Sequence, residues 1–242
     1  MVLPSRIHRI ALDDAARMTR RFRDRGADTE KGGAFHSDQV IELLTQPDCA
    51  SLRYYHGLDE AGRQALILVA ADPDGADITR GPVLDLHIPC PPFCGPTSPL
   101  NSSISQAAAR LTRGLRVTTV VLPERDHRIA IAEAARMTRR HREADPQVEK
   151  GGAFHAEQVL ELLTQPGCVA LRYYRGLDDA ELPALILVGV DVEGADMTVG
   201  PVLDLHIPCP PFCGPTSPLN SNAGALAATD ARWAVPALAG VR

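Results

Sequence analysis

The sequence predicts an α+β protein made by tandem duplication, each copy carrying two helices followed by a three-strand antiparallel meander, with the copies related by a pseudo-twofold. Three observations lead there. Residue n set beside residue n+119 aligns 1–101 with 120–220 without a gap, and 71 of the 101 positions are identical. That period is too long for a solenoid repeat, so each copy reads as a small folding unit and the pair as a covalent pseudo-dimer. Within each copy the apolar spacing passes from helical to alternating towards the C-terminus.

The elements follow in order. In 8–24, Ile10, Ala11, Ala15 and Met18 gather near one helical face with arginine over much of the rest. Gly32-Gly33 breaks the chain, and 36–46 reads as a second helix through Val40, Leu43 and Leu44, with Asp38 (Glu157 in the second copy) suiting its positive end. Pro47 stops it. Strand-like runs follow at 52–55 and 65–69, separated by Gly57-Leu58-Asp59, and a third at 83–88 follows the turn Asp72-Pro73-Asp74-Gly75. Of each tyrosine pair, Tyr54-Tyr55 and Tyr173-Tyr174, alternation predicts one core and one surface ring. The plan is repeat 1–101, linker 102–119, repeat 120–220, and an Ala-rich tail 221–242 carrying the lone Trp233.

Composition narrows the function. With 45% hydrophobic and 23% charged residues the 242-residue chain has an ordinary globular mix, and its net charge of −5 argues against nucleic acid as a partner. No apolar run approaches the roughly 20 residues of a membrane span. The N-terminus, Met1-Val2-Leu3-Pro4-Ser5-Arg6, lacks the basic-then-apolar pattern of a secretory signal and predicts a cytoplasmic chain, export by a signal-independent route being left open.

The segments GGAFH, QPGCVALRYYRGLDD, ALILVGVD, GADM, PCPPFCG and SPLN resemble a family of short, uncharacterised bacterial proteins about one repeat long. The resemblance covers about 70 residues of each copy and implies a domain unit without naming an activity. The histidine three residues before the first cysteine of PCPPFC departs from that family's pattern.

That block carries the most informative chemistry. Half of the chain's 20 prolines lie in Asp85–Pro99 and its copy, making both stretches stiff and poor in backbone donors. His87, Cys90 and Cys94, with Cys49, offer imidazole and thiolate ligands for zinc, as do His206, Cys209, Cys213 and Cys168 in the second copy. Zinc is the one candidate cofactor. Cys90 and Cys94 equally suit a small disulfide loop if Pro91-Pro92 turns the chain, or a pair of reduced, packed thiols. Asp85 and His87, two apart on a strand, face one side together, as a relay, a metal ligand with its support, or simply the polar face of a sheet. Asp72, Asp74 and Asp77 faintly resemble a calcium loop but lack the about 6–8 oxygen ligands such a site needs.

The first helix of each copy bears an arginine stripe, Arg17, Arg20 and Arg21 in one and Arg136, Arg139 and Arg140 in the other, able to dock an acidic partner. Trp233, with Val235, Leu238 and Val241, could dress a docking peptide. No nucleotide loop or nucleophile elbow is present. The expectation is a non-enzymatic binding or self-assembly scaffold acting on a protein partner or on itself. The alternative is a zinc-binding or thiol-redox protein using the HxxCPPFC loops.

Overall fold

The computed structural model describes residues 3–26, 30–95, 98–101, 120–146, 149–213 and 217–220. The expectations for the linker 102–119 and for the tail with Trp233 lie outside these residues. The first copy contributes α1 (Leu12–Arg25), β1 (Gly32–His36), α2 (Ser37–Leu44), β2 (Ser51–Leu58), β3 (Gln64–Ala71), β4 (Val83–Leu84) and β5 (Ile88–Cys90). The second contributes β6 (Arg128–Ile129), α3 (Ile131–Ala144), β7 (Gly151–His155), α4 (Ala156–Leu163), β8 (Cys168–Leu177), β9 (Pro183–Asp191), β10 (Val202–Leu203) and β11 (Ile207–Cys209). The fold is α+β, with antiparallel sheets and helices packed upon them.

Neither sheet belongs to one copy. One has the strand order β10-β9-β8-β1-β5 and the other β11-β7-β2-β3-β4-β6. The meander β2-β3-β4 keeps its chain order, but its neighbour on the open side is β7 from the second copy, with Ser51 opposite His155 and Tyr55 opposite Gly151. Reciprocally, β1 pairs with β8, Gly32 opposite Tyr174 and His36 opposite Ala170. The Gly-Gly pair expected to break the chain is therefore the start of a strand. It reads as a break because glycine has weak strand propensity, and a partner in the other copy, Tyr174 opposite Gly32, leaves no local pattern.

The exchange continues outside the sheets. Residues 8–10 lie along β10, with the Ile10 amide donating to the Val202 carbonyl at 3.0 Å and the Asp204 amide to the His8 carbonyl at 2.8 Å. Residues 128–129 cover β4 in the same way, Val83 opposite Ile129. These segments occupy edges that would otherwise present unpaired backbone. Helix α1 lies on β8 and β9 of the second copy, burying Ala15 and Ala16 beside Tyr174, Ile186 and Val188. Helix α3 lies on β2 and β3 of the first, with Met137 beside Tyr55 and Ile67. Close approach is possible because the facing strand residue is glycine: a Cβ on Gly57 would stand 3.1 Å from the Met137 Cβ, and one on Gly176 the same distance from that of Met18.

Between the sheets lies the central core, where Phe35, Leu52, Tyr54 and Leu66 meet Phe154, Leu171, Tyr173 and Leu185 with α2 and α4 beside them. Both tyrosines of each pair are buried, contrary to the alternation expected: Tyr54 faces this core, and Tyr55 is sealed under α3. A helix on the outer face turns a half-exposed sheet into one covered on both sides.

The third strand is also shorter than its apolar run. It is interrupted at Leu86, which takes φ 54° and points outward, 48% exposed, while Leu84 and Ile88 are buried. A left-handed leucine costs roughly 1–2 kcal/mol. The His127 ring and the Arg125 guanidinium compensate, standing 3.0 and 3.3 Å from the Leu86 carbonyl.

Residues 1–101 expressed alone keep β5 beside β1 but lack β8 on its other side and the helix that covers β2. We expect them to dimerise by the same exchange or to stay unfolded. Analytical ultracentrifugation with circular dichroism checks this, and a folded monomer would contradict it.

Candidate functional site

At one end of the inter-sheet core, each copy sets a histidine between two carboxylates. The His87 Nε2 lies 2.9 Å from Glu30 Oε1, and its Nδ1 lies 3.9 Å from Asp85 Oδ1, on the far side of the ring. Tyr173 of the other copy donates to the same Glu30 oxygen at 3.4 Å. The second set repeats this: His206 to Glu149 at 3.0 Å and to Asp204 at 3.9 Å, with Tyr54 donating to Glu149 at 3.4 Å. Glycine makes the space, since a Cβ on Gly33 would meet the His87 ring at 2.3 Å and one on Gly152 the His206 ring at 2.5 Å. Burial alone would discharge these imidazoles. The flanking carboxylates outweigh it, raising His87 and bringing His206 to about 9. Asp85 and His87 thus do face one another, although the strand expected to carry them is broken between them.

A second pair of histidines is neutral. His8 accepts the His155 amide on Nε2 at 3.1 Å, and its Nδ1 stands 2.9 Å from the Leu205 carbonyl, which places the proton on Nδ1. His127 does the same between the His36 amide and Leu86. Burial lowers both to about 4. Gln158 and Gln39 hold the same segments, each accepting one histidine amide at 2.8 Å.

The proline-cysteine loops are anchored across the copies. Cys90 is bonded to Cys94 and Cys209 to Cys213, with Cα separations of 4.9 and 5.0 Å. The Phe93 carbonyl in the first loop accepts from Arg172 of the second copy at 3.0 Å, and the Phe212 carbonyl accepts from Arg53 at 3.1 Å. Both arginines are fully buried and paired, Arg53 with Asp77 at 2.7 Å and Arg172 with Asp196. Tyr55 and Tyr174 donate to the remaining oxygens of those carboxylates, each at 2.8 Å. The turn that faintly resembled a calcium loop is a hairpin: Asp72 accepts the Ala76 amide at 2.8 Å, and Asp77 turns inward to Arg53.

The zinc candidates divide accordingly. Cys90 and Cys94 are joined to each other, and His87 contacts Glu30. Cys49 sits against the central core with its thiol towards the Ser51 carbonyl at 3.6 Å, and Cys168 likewise towards Ala170 at 3.4 Å. Burial pushes both free thiols up. Among the described residues, no three His, Cys, Asp or Glu side chains are grouped to hold a metal ion.

The arginine stripes are partly spent inside the molecule. Arg21 reaches the β8–β9 turn, 2.5 Å from Asp179, and Arg140 donates to the Leu58 carbonyl at 3.2 Å and approaches Glu60 at 3.8 Å. Arg17 and Arg136 pair with Asp14 and Glu133 on their own helices. Arg20 is exposed, and Arg139 is half-buried with its Nε unpartnered.

Local spacing does not single out Glu30, Glu149, Arg53 or Arg172, and it presents Asp77 and Asp196 only as parts of a faint calcium loop. A signal existed: each is a charged residue retained at both n and n+119, and the arginines interrupt an apolar strand.

Two predictions follow from this chemistry. Stability should peak near pH 6.5. It should fall towards pH 4, because His8 and His127 stay neutral in the fold while their unfolded counterparts protonate. It should fall again as pH rises from 6.5 through about 9, where His206 loses its proton. His206→Gln should remove up to about 3 kcal/mol of that alkaline loss, measured by urea unfolding across the range. Separately, Asp77→Ala strands a buried guanidinium and should cost about 3–5 kcal/mol by the same assay.

No protein-family model matches the chain, and no curated protein or solved structure matches it significantly.

Proposed function

We propose that this chain is a non-enzymatic binding or self-assembly scaffold, a duplicated pseudo-dimer whose copies are related by an approximate twofold. The reciprocal pairing of β1 with β8 and of β7 with β2 carries the reading. It makes one stiff two-sheet block from two copies and offers each surface loop twice, the arrangement that suits bivalent contact with a protein partner or with further copies. The commitment of Arg53 and Arg172 to the opposite copy's proline loop, and of Tyr54 and Tyr173 to the opposite copy's glutamate, supports it, because these groups hold the copies together. On this reading the bacterial proteins of one-repeat length reach the same architecture as homodimers.

One observation favours a second reading, a thiol-redox or zinc-binding protein: each copy carries a disulfide in its proline loop. Disulfides persist in oxidising surroundings, so a cytoplasmic chain would hold the four cysteines reduced. No described helix is long and apolar enough to cross a membrane.

Native mass spectrometry of fresh protein, prepared without chelator or reductant, tests both readings. The scaffold reading expects a discrete oligomer or a co-purifying protein, and a bare monomer at tens of micromolar would overturn the self-assembly form. A mass lower by about four protons per chain reports two disulfides. Excess mass of about two zinc ions per chain would move the assignment to the metal reading.

A further inference from the structure

Beside the two histidine sets, the inner faces of β2 and β8 end differently. The inner face of β2 carries Leu52, Tyr54 and His56, and that of β8 carries Leu171, Tyr173 and Arg175. Two nitrogens of Arg175, Nε and Nη2, are buried without a hydrogen-bond partner among the described residues. Their N–H groups share one edge of the guanidinium, the edge that grips two oxygens of a carboxylate or phosphate at once. His141, from α3, brings a third buried nitrogen without a partner, its Nε2. Its ring centroid lies 5.5 Å from that of His56, which lies 5.5 Å from that of Tyr54.

Two carboxylates lie nearby: Glu149 already meets His206 and Tyr54 while its backbone carbonyl bonds the His141 ring, and Asp145 faces His141 from the end of α3. Burial lowers both imidazoles and Arg175 lowers them further, His56 to about 3. The group therefore offers one fixed positive charge and neutral rings able to donate or to take up a proton beside an anion. The other copy has no such set, because Phe22 stands at the position of His141 and His56 at that of Arg175.

We propose that Arg175, His141 and His56 form a receptor for a small oxyanion, a carboxylate or phosphate group, with the free edge of Arg175 gripping two of its oxygens. The site is independent of the assembly reading, since it needs only the fold. The test is a nitrogen-15 NMR titration of the full chain with inorganic phosphate and, separately, acetate, at constant ionic strength with chloride as control. The expected result is a saturable shift of the Arg175 side-chain Nε–H, accompanied by the His56 and His141 rings. Saturation by phosphate alone assigns a phosphate-bearing ligand, and saturation by acetate alone a carboxylate; either supports the receptor.

Arg175→Gln should weaken binding by on the order of tenfold or more, the loss of a charge-assisted bidentate contact. Arg175→His, which installs the first copy's residue, serves if the glutamine variant fails to fold. His141→Phe should weaken phosphate binding several-fold. Shifts that stay linear and equal to those in chloride would overturn the proposal, as would ring shifts of His56 and His141 that saturate unchanged in the Arg175 variants. Because the readout is a side-chain resonance, loss of self-association leaves it intact.

Discussion

The hydrogen bonds between Gly32–His36 and Ala170–Tyr174, and between Gly151–His155 and Ser51–Tyr55, set where the other groups of this molecule stand. They lay a glycine strand under each histidine, so that an imidazole can pack where a side chain would collide. They also carry each proline loop, through β5 and β11, to the buried arginine of the opposite copy. Covalent linkage makes the exchange an intramolecular event, with an effective concentration that two separate chains would have to supply by mass action.

The price of the arrangement is buried charge. Removing Arg53, Arg172 and their aspartates from water costs several kcal/mol per ion, and tyrosine hydroxyls and loop carbonyls offset part of it, leaving only the Nε of each guanidinium without a partner among the described residues. Such a network adds little net stability over an apolar core. What it supplies here is registry, since one guanidinium spans the aspartate turn of its own copy and the proline loop of the other. The arginine fork suits that role better than the point charge of a lysine.

Much of this fold is legible in the sequence, and the unread part has a common physical cause. Helices at 12–25 and 37–44 and strands at 51–58 and 64–71 fall close to where apolar spacing puts them, because each is stabilised by contacts its own periodicity displays. Strand β1 and the sealing of Tyr55 depend on segments from the other copy, and no local pattern reports a partner at that distance. The site divides along the same line. His87 and Asp85 stand out by spacing, whereas Glu30 looks like a loop residue until the fold brings it to the ring. Cys90 and Cys94 stand out by spacing, but the choice among metal, disulfide and free thiol depends on how two prolines turn the chain.

Fusing two copies into one chain also lifts a rule that binds any homodimer. In a homodimer every residue appears twice, so a cation near the axis confronts its own image. Here position 56 is histidine and its counterpart 175 is arginine, while position 22 is phenylalanine and its counterpart 141 is histidine. The duplicated chain keeps identical residues where both halves must close on each other, in GGAFH and through PCPPFCG. Elsewhere it is free to differ, so a framework repeated in sequence can hold a centre that is not repeated.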